Sequence, residues 1–300
     1  LGDALKESRG LWFGLDGNIE SARASQRIHL TQQENVRVAT VSLSQEEYDN
    51  YYLGFSNKVL WPSFHYRLDL ARFEPAFLDV YRDVNARFAK TLSGLLEPDD
   101  VIWIHDYHLI PLAAELRKLG VAHKIGFFLH IPFPSMETLQ AVPEYQWLMK
   151  CLFAYDVVGF QTDNDTGNFA RYVTEQAGGA MGEGGQLHLE GARVIARAFP
   201  IGIDADAFSA MARTPEADEQ IVRLRMRTLA SRLILGVDRL DYTKGLPNRM
   251  SAFRRLLELD PAKAKTVTFM QIAQPTREEV EAYSDIRQEL EGLSGAINGE

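Results

Sequence analysis

The chain has 300 residues, 46% hydrophobic and 24% charged, enough for one large or two ordinary globular domains. A formal net charge of −9 argues against nucleic acid or an anionic membrane as a whole-chain partner, but leaves room for a local cationic pocket that takes small anions. A single cysteine, Cys151, excludes an internal disulfide framework and a cysteine-rich zinc site. With no apolar run of membrane-spanning length and no secretory pattern, the cytoplasm is the default expectation.

In chain order, Leu1 to Ser8 reads as the end of a helix closed by Gly10, hinting at an upstream piece. Leu11 to Gly14 is a short apolar run. Ser21 to Glu34 is polar, a surface loop or hairpin, and Val36 to Val41 alternates as a strand. Ser44 with Glu47 three residues on is a capping box that opens a helix through Tyr51 and Tyr52. An aromatic cluster surrounds Pro62 between Asn57 and Tyr66. Phe77, Val80, Tyr81, Val84, Phe88, Leu92 and Leu95 mark a long amphipathic helix.

Val101 to Pro134 is the stretch on which the rest is organised. Val101 to Ile104 is apolar and ends in His105-Asp106-Tyr107-His108. A helix pattern follows, with Leu112, Ala113, Leu116 and Leu119 on one face and Gly120 as its C-cap. A second apolar run, Ile125 to Leu129, ends in His130 and the Pro132/Pro134 pair. This is a βαβ unit, and both strands are expected to be covered on both faces. Ligands of open α/β sheets bind beyond the strands' carboxyl ends. His105, Asp106, His108 and His130 stand there, either as a site or as strand-end groups bonded to backbone. A divalent metal on His105, Asp106 and His108 is a weak rival, because neighbouring strand side chains face opposite sides.

Pro143 to Phe153 reads as a helix that buries Cys151, and Val157 to Phe160 as a buried strand. Thr162 or Asp163 caps the next helix. Gly178 to Gly191 holds a possible hairpin, and Val194 to Phe199 is a strand. The pattern breaks at Pro200 to Asp204 and restarts as βα alternation: helices over Glu216 to Ala230, Pro247 to Leu259 and Thr276 to Leu293, strands over Leu233 to Val237 and Val267 to Ile272. So few strands make a small sheet with apolar faces uncovered, as if the chain stopped mid-domain. Arg239 and Lys244 sit between strand and helix N-terminus. They form either a diphosphate seat, with Asp238 and Asp241 holding them, or a surface ion-pair set. Thr276 with Glu279 three residues on reads as a capping box, and Arg277, in the first turn expected after it, opposes the helix dipole. It is either functional or an exposed surface arginine.

These residues lie in GLWFG (10–14), YYxxFSNxxLWPxFHY (51–66), WIHDYHL (103–109), GFFLHIPFP (126–134), GFQTxND (159–165), FPIGID (199–204) and VDRLDYTKGLP (237–247). With them the chain resembles the trehalose-6-phosphate synthase family, retaining glycosyltransferases of family 20. The resemblance implies an α/β fold of GT-B type: two Rossmann-like domains facing a cleft, the second incomplete. Residues 1–203 would be the acceptor-binding domain without its first strand, and 204–300 part of the nucleotide-sugar domain. It implies transfer of glucose from UDP-glucose to glucose 6-phosphate with no cofactor and no metal. Tyr52, Trp61, Asp106 and Arg277 fall on acceptor-binding positions, Trp12 near them, Arg239 and Lys244 on donor-diphosphate positions, and His130 beside the donor sugar. His130, Asp106, Arg239 and Lys244 would carry the chemistry. The partners implied are these two small molecules, with no nucleic acid and no membrane. A homo-oligomer is compatible with the sequence. The family's Ser-Asn-Arg segment and glycine loop are not found upstream, nor its Asp-Gly-Met-Asn-Leu segment and donor-binding Glu downstream. A fragment inactive by itself is therefore expected. Glucosylglycerol-phosphate synthase and a non-catalytic sugar-phosphate sensor are the alternatives.

Overall fold

The computed structural model describes residues 10–21, 27–227, 232–277 and 279–299. The helix end expected over Leu1 to Ser8 and the end of the helix expected to reach Ala230 lie outside them. The chain forms two compact units, Leu1–Pro200 and Ile201–Glu300.

In the first unit, β1 (Leu11–Glu20), β2 (Ile28–Gln33) and β3 (Val36–Ser44) form a sheet in the order β1-β3-β2. β2 and β3 are the antiparallel hairpin, and β1 runs parallel to β3. The capping box forms: the Glu47 amide donates to Ser44 Oγ at 3.2 Å and the Ser44 amide to Glu47 Oε2 at 2.8 Å. It opens helix α1, built of Gln45–Glu47, a π-type stretch over Tyr48–Leu60, and Trp61–Phe64. Helix α2 (Pro75–Ser93) buries Phe77, Tyr81, Val84, Phe88 and Leu92 on the predicted stripe. It packs on α1 through Tyr81, whose ring lies 4.6 Å from Phe55 and 5.7 Å from Tyr51. Arg87 of α2 forks onto Glu47 with two bonds of 3.0 Å, tying the cap to the second helix.

At Gly54 α1 comes close to a side chain of α2. A Cβ built there would stand 2.6 Å from Phe77 Cδ1, and Phe77 is buried. Gly54→Ala would gain up to about 1 kcal/mol of helix propensity. Overpacking costs about 1–3 kcal/mol and outweighs it. A lower thermal midpoint is the expected result, and a raised one would show that the interface has room.

The second sheet of this unit runs β4-β5-β6-β9-β8-β7, from β4 (Val101–His105), β5 (Lys124–Phe128), β6 (Val157–Phe160), β7 (Ala180–Met181), β8 (Gln186–Leu189) and β9 (Ala192–Ala198). β4, β5, β6 and β9 are parallel, and β8 with β7 adds the antiparallel edge. Between β4 and β5 lies α3 (Leu112–Lys118). Gly120, at φ +82°, follows it, with its amide on Arg117 O and the Val121 amide on Leu116 O, the cap the sequence predicted. The expectation that both faces of β4 are covered is wrong. Ile102 and Ile104 are buried, but Val101 and Trp103 on the other face are 75% and 55% exposed, and no described element covers them. An apolar run names neither the face nor the cover. The helix expected from Pro143 begins at Tyr145 (α4, Tyr145–Cys151) and does bury Cys151, whose thiol burial pushes up to about 12. Thr162 caps α5 (Asp163–Arg171) in a reciprocal box with Asp165.

In the second unit α6 (Ala205–Met211) and α7 (Pro215–Arg227) precede a two-stranded parallel sheet, β10 (Arg232–Arg239) and β11 (Val267–Gln274), joined through α8 (Leu246–Leu259). Helix α9 (Glu281–Gly299) packs on α8, with Leu240, Leu246, Ile286 and Leu290 as the core. Leu233, Ile234, Leu235, Val237 and Ile272 of the small sheet stay exposed. The expected helix start at Thr276, with its Thr276/Glu279 box, is also wrong. Arg277 takes a left-handed φ of 50°, which a helix cannot contain, and α9 starts at Glu281. No described helix is long and apolar enough to cross a membrane.

Candidate active site

In the first unit the parallel register places His105 opposite Phe128, so both chains leave the sheet side by side. Asp106 follows with φ 71° and ψ 166°, a conformation essentially reserved for glycine. It is held by its own amide, which donates to Phe128 O at 2.8 Å, and by its Oδ1, which accepts from the His130 amide at 3.3 Å. His105 Nδ1 and His130 Nε2 are 3.0 Å apart, so one imidazole donates to the other. Trp103 and Phe128 flank the pair, at 4.5 Å from His105 and 4.7 Å from His130. The structure therefore brings Asp106 and His130 together, and adds His105.

The turn Tyr107–Leu109 is fixed from beneath. Tyr81 Oη donates to Tyr107 O at 2.6 Å, and Asn85 Nδ2 and Tyr51 Oη donate to His108 O at 3.2 and 3.3 Å. Tyr107, fully buried, donates its hydroxyl to Asn57 Oδ1 at 2.9 Å. The His108 ring then stacks on Tyr52 at 5.7 Å and 14°. Trp61, only 4% exposed, meets Tyr107 at 5.7 Å. Tyr52, Trp61 and Asp106 thus belong to one aromatic and polar assembly. Trp12, 42% exposed on β1, makes no ring contact or hydrogen bond with it among the described residues. His105 turns to His130 while His108 turns to Tyr52. No group of three or more His, Cys, Asp or Glu side chains gathers to hold a metal among the described residues.

Burial and the adjacent His130 imidazole hold His105 down at about 4, against 6.5 in the open chain. The unfolded chain therefore takes up a proton near pH 6.5 that the folded chain refuses until about pH 4. Stability from this group is complete above pH 6.5 and is lost as pH falls towards 4. Thermal melts across this window should show a shallower acid slope for His105→Asn than for the parent chain. Equal slopes would assign the titration elsewhere.

In the second unit Arg239 closes β10 and the Leu240 amide donates to Gln274 O at 2.7 Å, so the loop leaves from the carboxyl end of the sheet. Asp241, fully buried, caps the turn Tyr242–Lys244: its Oδ1 accepts from Thr243 N at 3.0 Å and Thr243 Oγ1 at 2.9 Å. Gly245, at φ +61°, turns the chain into α8, with Pro247 in the first turn. Lys244 is exposed, and the Arg239 side chain is 46% exposed with Nη2 3.7 Å from Asp241 Oδ2. So Asp241 does hold Arg239, as the sequence suggested, while the close ion pair of Asp238 goes to Arg249 and Lys244 only adds its attraction. Successive strand side chains point to opposite faces, and Asp238 pairs with Arg249, whose hydrogen bond lowers the carboxyl's pKa. Arg249 also donates to Lys244 O at 3.2 Å and pins the loop, a role without a local sequence signal. Arg277 reaches forward to Tyr283 Oη at 2.8 Å and is neither in a helix nor a plain surface arginine.

A sequence model of glycosyltransferase family 20 matches residues 2–300. The trehalose-6-phosphate synthase of Sodalis glossinidius is 43% identical over 297 residues, 99% of this chain and 62% of its own length. A crystal structure of a UDP-forming α,α-trehalose-phosphate synthase from Burkholderia xenovorans in complex with glucose-6-phosphate superposes with a TM-score of 0.89 at 43% identity. It covers 100% of this chain and 68% of its own. An E. coli trehalose-6-phosphate structure bound with UDP-2-fluoro glucose superposes with a TM-score of 0.90 at 41% identity, over 99% and 65%. The chain spans 62% of the length of the curated relatives it matches.

Proposed function

The chain belongs to glycosyltransferase family 20, and from that premise we propose that the protein carrying it transfers glucose from UDP-glucose to glucose 6-phosphate, giving α,α-trehalose 6-phosphate and UDP. Its α/β architecture, with parallel strands in each unit, is of the GT-B type of its solved relatives. The observation that carries the proposal is the cationic seat: Arg239 and Lys244 stand between the end of β10 and the N-terminus of α8. Strand end, cations and free helix amides together suit a diphosphate. Relatives above 40% identity have been solved with glucose-6-phosphate and with a UDP-glucose analogue.

In this scheme Tyr52, Trp61, Asp106 and Arg277 hold the sugar phosphate, and His130 lies beside the donor sugar. Trp12 has only its place in the GLWFG motif to support it. The bond from the anomeric carbon to the phosphate oxygen breaks, and its electron pair goes to the leaving phosphate. An acceptor hydroxyl bonds to the same face of that carbon and hands its proton to the leaving phosphate oxygen, so configuration is retained. Negative charge grows on the phosphate as positive charge grows on the sugar. Arg239 and Lys244 offset the former as oxyanion donors do. Asp106, fixed by Phe128 O and the His130 amide, orients the acceptor. With two cations at the leaving group the step needs no divalent ion, so turnover should persist in excess EDTA. Loss of turnover restored by one metal would contradict this. The single buried cysteine suits a reducing compartment, and the cytoplasm is the proposed place of action.

The test is UDP release by the protein with both substrates present. Release that requires glucose 6-phosphate, and falls when glycerol 3-phosphate replaces it, supports the proposal. Release indifferent to glucose 6-phosphate would overturn it.

A further inference from the structure

Arg239 and Arg277 stand 38 positions apart, yet a chain of polar contacts joins them. Arg277 Nη1 donates to Tyr283 Oη at 2.8 Å. That hydroxyl donates to Asp241 Oδ2 at 3.3 Å, and the same oxygen lies 3.7 Å from Arg239 Nη2. The middle of the chain is buried, with Asp241 0% and Tyr283 1% exposed. Both ends reach the surface, Arg239 being exposed and Arg277 partly so. Tyr283 is locked against Tyr242, ring centroids 5.2 Å apart, and Asp241 Oδ1 is occupied by Thr243. Burial holds the phenol up at about 12, so it keeps the proton it gives to Asp241 while accepting from Arg277. Arg277 sits at a left-handed φ of 50°, a strained position that the surrounding bonds must maintain.

We propose that Tyr283 and Asp241 are positioning residues that couple the Arg239 seat to the Arg277 seat, so that a phosphate group bound at one tightens binding at the other. The inference rests on the transferase activity proposed above, in which Arg239 meets the donor diphosphate and Arg277 the acceptor phosphate. The sign follows from the contacts. A diphosphate draws Arg239 away from a carboxylate it holds only at 3.7 Å. Asp241 Oδ2, relieved of one cation, pulls harder on the Tyr283 hydroxyl. The phenol oxygen then becomes a better acceptor for Arg277. A guanidinium already held in place loses less freedom when the acceptor phosphate arrives. Linkage makes the effect reciprocal.

The experiment measures glucose 6-phosphate affinity calorimetrically with and without saturating UDP, in the parent protein and in Tyr283→Phe, which removes one oxygen and keeps the ring. The parent is expected to bind about 5-fold or more tightly with UDP present, and Tyr283→Phe to bind equally with and without it. Coupling that survives in Tyr283→Phe, or a parent without coupling, overturns the inference and leaves the transferase activity standing. A parent that binds neither molecule sinks both. Should Tyr283→Phe not fold, the parent labelled with 13Cζ-tyrosine decides. A Tyr283 signal that moves on addition of UDP alone supports the coupling, and one that stays still refutes it.

Discussion

Arg239→Ala is expected to lower kcat for UDP release about 100- to 1,000-fold, the range for removing one donor to a developing oxyanion, with a smaller change in the KM for UDP-glucose. The guanidinium ends β10 and is 46% exposed, so it is available to a ligand. Its attraction grows as the donor bond lengthens and the phosphate gains charge, which is why kcat suffers more than KM. Arg239→Lys keeps a charge but loses the planar fork, and an intermediate loss is expected. The fold should survive either change, because Asp241 retains both Thr243 bonds and the Tyr283 hydroxyl. Steady-state kinetics beside a thermal melt separates the two effects. Unchanged kcat in a folded Arg239→Ala variant would place the diphosphate elsewhere.

Asp106 should separate stability from activity. Its φ of 71° with ψ 166° costs about 1–3 kcal/mol in any residue but glycine. Asp106→Gly relieves that strain, while Asp106→Ala keeps it and also loses the carboxylate. The glycine variant is therefore expected to be more stable than the alanine variant by about 1–3 kcal/mol, less up to about 1 kcal/mol for glycine's greater unfolded entropy. The weak 3.3 Å bond from the His130 amide is lost equally in both. Both should lose acceptor binding about 10- to 100-fold, the value of a hydrogen bond to a charged group. Denaturant titration gives the first comparison and glucose 6-phosphate calorimetry the second. A glycine variant that binds as the parent does would remove Asp106 from the acceptor site.

Local chemistry made parts of this legible in the sequence. Ser44 with Glu47, and Gly120, are short-range devices that form as their spacing implied, and of the two caps open to the sequence, Thr162 and Asp163, the structure uses Thr162. The βαβ unit that carries Asp106 and His130 is legible because two apolar runs flank a helical pattern, which puts both residues just beyond strand ends. What could not be read depends on register or on distant elements. The His105–His130 contact exists because β4 pairs with β5 at His105 and Phe128. Asp238 goes to Arg249, 11 positions on, because the strand turns it away from Arg239. The start of α9 was misplaced because a capping box at Thr276 says nothing of the left-handed φ at Arg277. Tyr283, on an amphipathic helix, looks like any buried aromatic until its hydroxyl is seen between Arg277 and Asp241.

Proton NMR of the reaction, following anomeric signals in the protein supplied with UDP-glucose and glucose 6-phosphate, tests the transfer most directly. The expected result is a non-reducing α,α-linked disaccharide phosphate appearing in step with UDP. Free glucose in place of the disaccharide, a β-linked product, or no loss of UDP-glucose would contradict it.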